Sequence, residues 1–291
     1  KILSNFKEKG QRDFYHEYEY VNLYSNNNSE VNAFSYCEDN NYFFFPYLKK
    51  TIKGNNGIFD FETAYGYGGP IATTEDIKFL DKAWVSFIGF AKKESMIAGL
   101  IRFHPLIHFN SFLKNDSIKM VSQCKTVWLD CEQSLQTIIN NYSLDIKKRV
   151  LKAKNDGIVC DYSQNLKDLM LFTKIYLKRM KSINARENYL FDDKYFKSIS
   201  ELNSANWRVY LVKTSGNQVI GGALIFLTDF FCNIHLSSSL KEYFNLSPNI
   251  VLRDTIIKDC LKLNIKKIHF GGGRTLSNSD SLLNFKKKFS K

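Results

Sequence analysis

The stretch from Trp207 to Phe270 constrains this chain more than any other. It reads WRVYLVKTSGNQVIGGALIFL, then FFCNIHLSSS, then SPNIVLRDTIIKDCLKLN, then KKIHF. Two apolar runs joined at Ser215, Gly216 and Asn217 predict a β-hairpin, and the next run supplies a third strand. Ser247 as N-cap with Pro248 at the first helical position predicts a helix, and a fourth strand follows it. Upstream, LKDLMLFTKIYLKRMKS places Leu166, Met170, Thr173 and Leu177 on one helical face, as a helix covering a sheet would. The order helix, meander, helix, strand, helix is that of an α+β layer. In such a layer a parallel strand pair can part around a ligand while helix N–H groups receive phosphate or an oxyanion.

The fourth strand breaks on Gly271, Gly272 and Gly273, and the chain then closes with a lysine cluster set between Phe285 and Phe289. Three glycines there predict positive φ or a close approach of backbone to another group. The first half carries similar element types. Residues 10–24 read as helical, 42–48 as a buried strand ending at Pro46, 74–93 as a helix opening at Thr73 or Thr74, and 96–103 as a strand. KTVWLD is another strand, running to Asp130, with a short helix after Glu132; LDIKKRVLKAKNDG is a basic helix stopped at Gly157.

At 291 residues with 44% hydrophobic content, the chain is long enough for one large domain or two ordinary ones. No apolar run approaches the roughly 18 residues of a membrane span, so the chain reads as soluble and cytoplasmic. It begins at Lys1 with no apolar signal core behind it, which leads us to expect the loss of an initiator or short leader. Cys37, Cys124, Cys131, Cys160, Cys232 and Cys260 lack C-x-x-C spacing and are expected as reduced, buried thiols. The five histidines do not stand at ligand spacing with them, so no metal is expected. A net charge of +12 and a pI near 9.2 point to an anionic partner.

ETAYGYGGPI (62–71), IRFHPL (101–106), RVLKAKNDGIVC (149–160), HLSSS (235–239) and HFGGG with the terminal D.LLNFKKKFS (269–290) resemble successive signatures of the FemABX-like branch of the GNAT superfamily. The resemblance covers about residues 40–291. It implies an α+β chain of two tandem GNAT-like (acyl-CoA N-acyltransferase fold) domains, 1–145 and 146–291, each a mixed, mostly antiparallel sheet flanked by helices. It also implies an acyltransferase that moves an acyl or aminoacyl group onto an amine of a cell-envelope precursor, a nucleotide- or lipid-linked amino sugar or a peptidoglycan peptide. The donor would be acyl-CoA or aminoacyl-tRNA as co-substrate, with no tightly bound cofactor. The partners implied are that anionic sugar substrate, tRNA, and a peripheral contact with the inner membrane face. One departure concerns the donor. A glycine-bearing pyrophosphate turn is usual between the third meander strand and the next helix, but LKEYFNLSPNIVL stands there without a glycine.

The resemblance places a lysine of the terminal Phe-Lys pair, Lys286, near the reactive carbonyl or the donor's phosphates, with Lys287 and Lys288 able to share that work. Without a G-x-S-x-G elbow or a cysteine in a nucleophile motif, direct attack by the acceptor amine is expected. His235, Asp280, a tyrosine or water would then take the proton, and Lys286 with backbone N–H groups would stabilise the oxyanion. Tyr65, Tyr67, Arg102, His104, Arg149, Gly271, Gly272, Gly273 and Arg274 are the expected substrate-binding residues, with Lys148 and Lys152 beside Arg149 for phosphate. The competing reading is a non-catalytic basic module of degenerate GNAT fold that holds RNA or an anionic glycan.

Overall fold

The computed structural model describes residues 2–55, 57–107, 118–123, 125–203 and 206–290. The chain divides into two compact units, Lys1–Val121 and Ser122–Lys291. The division falls before the 145/146 boundary expected from the sequence because the strand in KTVWLD pairs with the last strand of the chain, far away in sequence order (Asp130 opposite Lys267, Thr126 opposite Gly272), and so belongs to the second unit.

In the first unit, α1 (Tyr18–Asn22) precedes β1 (Ser29–Glu38), β2 (Asn41–Thr51), β3 (Phe59–Glu62), β4 (Ile71–Ala72), α2 (Ile77–Lys93) and β5 (Met96–Leu100). The sheet order is β1-β2-β3-β5, with β4 also on β2. β3 and β5 run parallel. The β1–β2 hairpin turns through Asp39 and Asn40, both at positive φ, the geometry that matches strand twist in a two-residue turn. Phe43, Phe45 and Tyr47 of β2 are fully buried against Phe79, Ala83, Trp84 and Phe87 of α2, so the aromatic run builds core. β2 continues through Pro46 to Thr51 rather than ending at the proline. α2 opens at Asp76, whose carboxylate accepts the Lys78 N–H at 3.0 Å, and residues 10–24 hold only short helical turns. That segment lacks the length that makes a helix self-supporting.

The second unit contains β6 (Thr126–Asp130), α3 (Leu135–Asn141), α4 (Leu144–Asn155), β7 (Val159–Ser163), α5 (Leu166–Ser182), α6 (Asp193–Ser200), β8 (Asn206–Lys213), β9 (Val219–Leu227), β10 (Phe231–Ser239), α7 (Pro248–Lys262), β11 (Lys267–Gly272) and α8 (Ser281–Lys287). Its six strands lie in the order β6-β11-β10-β9-β8-β7. Successive residues of a strand face opposite sides of the sheet, and β9 shows what covers each side. A side chain added at Gly221 would meet Pro248 of α7, and one at Gly222 would meet Phe172 of α5. The two helices therefore sandwich the sheet. On α5 the buried face is Leu169, Phe172, Thr173 and Tyr176, one position round from the expected stripe; Leu166 is exposed. Ser247 occupies the N-cap position of α7 in the left-handed region, without the side-chain cap bond expected of it. Both units are α+β with mixed, mostly antiparallel sheets, as expected.

Cys131, Cys232 and Cys260 are buried as expected; Cys160 is half-buried, and Cys37 is exposed on the outer side of β1. Cys124 lies outside the described residues.

Candidate functional site

β10 and β11 form a fork. They pair in parallel only over Phe231–Asn233 and Lys267–His269. Beyond that, β10 bulges between Ile234 and Leu236 and follows β9 to Ser239, while β11 shifts between His269 and Gly271 and follows β6 to Gly272. Each strand is thus held by its outer neighbour while the inner edges separate. Asn233 and His269 stand opposite each other in the crotch, both buried.

The β11 prong carries the terminal motif. Gly271 has φ +80°, a left-handed conformation that side chains rarely adopt, and a Cβ there would lie 3.1 Å from Lys286 Nζ. Lys286 is buried, and its Nζ donates to the Gly272 carbonyl at 2.7 Å. Lys287 and Lys288 are exposed, so burial singles out the first lysine of the three. Phe289 is fully buried against Tyr142 and Phe270, worth roughly 1.5–3 kcal/mol of apolar burial, and it anchors the end of α8. Phe285 packs at the core edge under the Arg253 guanidinium, 4.8 Å away.

Asp280 caps α8. Its carboxylate accepts N–H bonds from Leu283 (2.7 Å), Arg274 (2.8 Å) and Thr275 (3.0 Å), and the Thr275 hydroxyl at 3.3 Å. The Leu283 bond, and then those of Arg274 and Thr275, hold its pKa below the usual carboxylate range. A carboxylate so engaged organises the glycine loop and caps α8. A Cβ at Gly273 would press on that carboxylate, 3.0 Å from its Cγ and Oδ1. The Arg274 side chain is exposed, and its part in the cluster is its backbone N–H.

His235 belongs to a second set of contacts. Its Nε2 lies 2.7 Å from the Tyr195 hydroxyl on α6, and the Phe226 ring packs edge-on at 5.1 Å. Burial pulls its pKa down to about 3, far from the neutral value suited to a base, so the ring is a neutral hydrogen-bond partner of Tyr195.

In the first unit, His104 is a buried structural knot. Its Nδ1 accepts the N–H groups of Leu106 and Ile107, which fixes the other ring nitrogen as the donor to Asp13 Oδ2 at 2.9 Å. Its own N–H donates to the Gly68 carbonyl at 2.9 Å, tying IRFHPL to the tyrosine-glycine loop. Tyr65 is half-buried; its carbonyl accepts the Tyr20 hydroxyl at 2.8 Å, and its ring stacks with Tyr24. Tyr67 is also half-buried and packs against Tyr15 and His104. The Arg102 N–H donates to the Thr63 hydroxyl, and its side chain is half-buried. Arg149 is exposed on α4 and paired with Asp145 at 2.9 Å, an arrangement worth little in water; Lys148 and Lys152 are exposed beside it.

The structure therefore brings Gly271, Gly272, Gly273, Asp280 and Lys286 together. His235 is the bulge residue of β10, on the other strand of the fork, and Arg149 lies on α4 of the same unit; Tyr65, Tyr67, Arg102 and His104 lie in the other unit. Sequence reasoning overlooked Arg253. It is 2% exposed, has no carboxylate partner among the described residues, donates to the Asn249 carbonyl at 3.1 Å, and is pulled by burial to about 10, so it stays charged at neutral pH. Its signal was an arginine on the apolar stripe of Ile250, Ile256 and Ile257.

Residues 204–291 match the model of the FemAB family. No curated protein matches the chain. Among solved structures, FemX aligns over 99% of this chain and 91% of its own at a TM-score of 0.76 and 12% identity. L-PGS from Bacillus licheniformis aligns over 99% and 87% at 0.62 and 12%. The C-terminal domain of a putative lysylphosphatidylglycerol synthetase from Agrobacterium fabrum aligns over 90% and 80% at 0.59 and 17%. At such identities the likeness is one of fold. The family match covers β8 through α8, the strands of the fork and the lysine that closes it. Residues 204–291 are thus similar to the FemAB family, within the stretch where the sequence resemblance was drawn, and the chain is similar in fold to FemX.

Proposed function

We propose that the chain transfers an acyl or aminoacyl group from an activated donor, acyl-CoA or aminoacyl-tRNA, directly to an amine of a cell-envelope precursor. The observation that carries this reading is the placement of Lys286. It is a buried lysine of α8, fixed by a carbonyl of the glycine-broken strand, which is one prong of a fork whose two strands pair in parallel over three residues and then part. The FemAB match over the same residues and the FemX-like fold support it.

In this reading the donor's carbonyl enters the fork, where unpaired strand edges bind its chain. The acceptor amine attacks that carbonyl carbon, a C–N bond forms, and the carbonyl electron pair moves to oxygen. Lys286 donates to that oxyanion, with backbone N–H groups of the fork. When the intermediate collapses, the C–S or C–O bond to CoA or tRNA breaks, and the leaving group departs with the electron pair. The nitrogen's proton passes to water or a tyrosine, since Asp280 is engaged by N–H donors and His235 is held neutral with a pKa far below 7. Arg253 and Phe285 set the helix that aims Lys286.

The test incubates the protein with acyl-CoA and aminoacyl-tRNA separately, in the presence of amino-sugar and peptidoglycan-peptide acceptors, and measures donor consumption by mass spectrometry. Transfer by wild type and its loss in Lys286→Met is expected. Tight binding of donor or acceptor without consumption of either donor would defeat the reading.

A further inference from the structure

Helix α4 turns its apolar side chains in two directions. Ile146 and Ala153 point inward and are buried. Leu144 and Leu151 point outward and are 74% and 61% exposed. The outward leucines stand seven residues apart, so they share one face with Lys148 and Lys152, while Lys147 and Lys154 flank it on the other side. A solvated helix face does not need leucines, and a face that binds nucleic acid by phosphate contacts does not need them either. Leucine between lysines is the pattern of a helix lying in a bilayer interface, with the apolar chains entering the acyl boundary and the ammonium groups on anionic headgroups.

The geometry points to α4 as a docking helix for an anionic lipid surface, and the charges around it fit that occupant. Lys148, Lys152 and Lys154 have no ion-pair partner among the described residues, and the chain's net charge is +12. None of the described helices is long and apolar enough to cross a membrane, so the helix lies on the surface. The docking face is joined to the fork. The Ser143 N–H at the start of α4 donates to the Lys288 carbonyl at 3.1 Å, and Lys288 Nζ reaches Asp145 at 2.9 Å. A protein seated on α4 holds the end of α8, and hence Lys286, near the membrane plane. This goes beyond the proposed transfer and does not depend on it.

The experiment is co-sedimentation of the full chain with phosphatidylglycerol vesicles at physiological salt, with phosphatidylcholine vesicles and a single-stranded RNA as comparators. Wild type is expected to partition onto the anionic vesicles. Leu144→Ser with Leu151→Ser is expected to reduce that partition roughly tenfold, and Lys148→Ala with Lys152→Ala to reduce it similarly. All four side chains are exposed, and unchanged thermal melts of the variants confirm folding. The inference is overturned if wild type prefers neither vesicle, if the leucine pair binds as wild type does, or if RNA binds more tightly than the vesicles and ignores the leucine change. Because no transfer is measured, a silent transfer assay leaves this result standing.

Discussion

Lys286 Nζ sits 2.7 Å from the carbonyl of Gly272, so the one buried lysine of the terminal cluster is fastened to the glycine-broken strand that introduced it. A side chain held by a backbone acceptor has its position set before the donor arrives. Oxyanion stabilisation from such a position is realised in the transition state. Lys286→Met is therefore expected to lower turnover about a hundredfold with donor affinity little changed, measured by steady-state kinetics and donor titration. Lys287→Met, on an exposed neighbour, should leave both as they are. Weakened donor binding in Lys286→Met would instead assign the lysine to the donor's phosphates.

Gly271→Ala tests the fork from the strand side. The residue must keep φ +80°, and its new methyl would lie 3.1 Å from Nζ. Left-handed backbone costs an L-residue about 1–2 kcal/mol, so a corresponding fall in unfolding free energy is expected, read by urea denaturation. Turnover should fall further than stability accounts for, because the methyl displaces the amine from Gly272.

Asp280→Ala removes four hydrogen bonds to one carboxylate, including the cap of α8. The melting temperature should fall and turnover with it. Asp280→Asn, whose remaining oxygen can still accept the Leu283 N–H, should recover part of both, as a structural role requires. An active Asp280→Asn with an unchanged pH profile would exclude proton transfer by this residue.

Acid should destabilise each unit through one desolvated histidine. Burial lowers His16 to about 4 and His235 to about 3, against 6.5 for an unperturbed imidazole. Between those values and 6.5 the unfolded chain binds the proton and the folded chain does not, so stability is complete above 6.5 and falls as the pH drops. From 6.5 to 5 the expected loss is about 2 kcal/mol for each histidine. Urea midpoints read through Trp84 for the first unit and Trp207 for the second should show this slope, and His16→Gln should flatten the first alone.

Much of the second unit was legible in sequence because its signals are local. Alternation marked β8 to β10, Pro248 marked the start of α7, and three glycines marked a backbone that needs positive φ; Gly271 supplies it. The resemblance carried by the terminal residues falls within the segment that the FemAB model matches. Short elements were less legible. β1, β3 and β4 gain their stability from neighbours in the sheet, and the segment 10–24 has too little local propensity to announce its fate.

What the sequence alone determined is therefore what a few adjacent residues impose on their own backbone: strand alternation, helix starts, the broken end of β11, and an excess of positive charge. What only the tertiary structure decided is which groups meet. Asp280, within reach of four donors, serves as a cap, and His235, desolvated beside Tyr195, stays neutral. Lys286 is set apart from Lys287 by burial, though the two are neighbours in sequence and alike in charge. Hydrogen bonding and desolvation act through space, over a few ångströms and between residues far apart in the chain, so no local reading of the residue types could have assigned those roles.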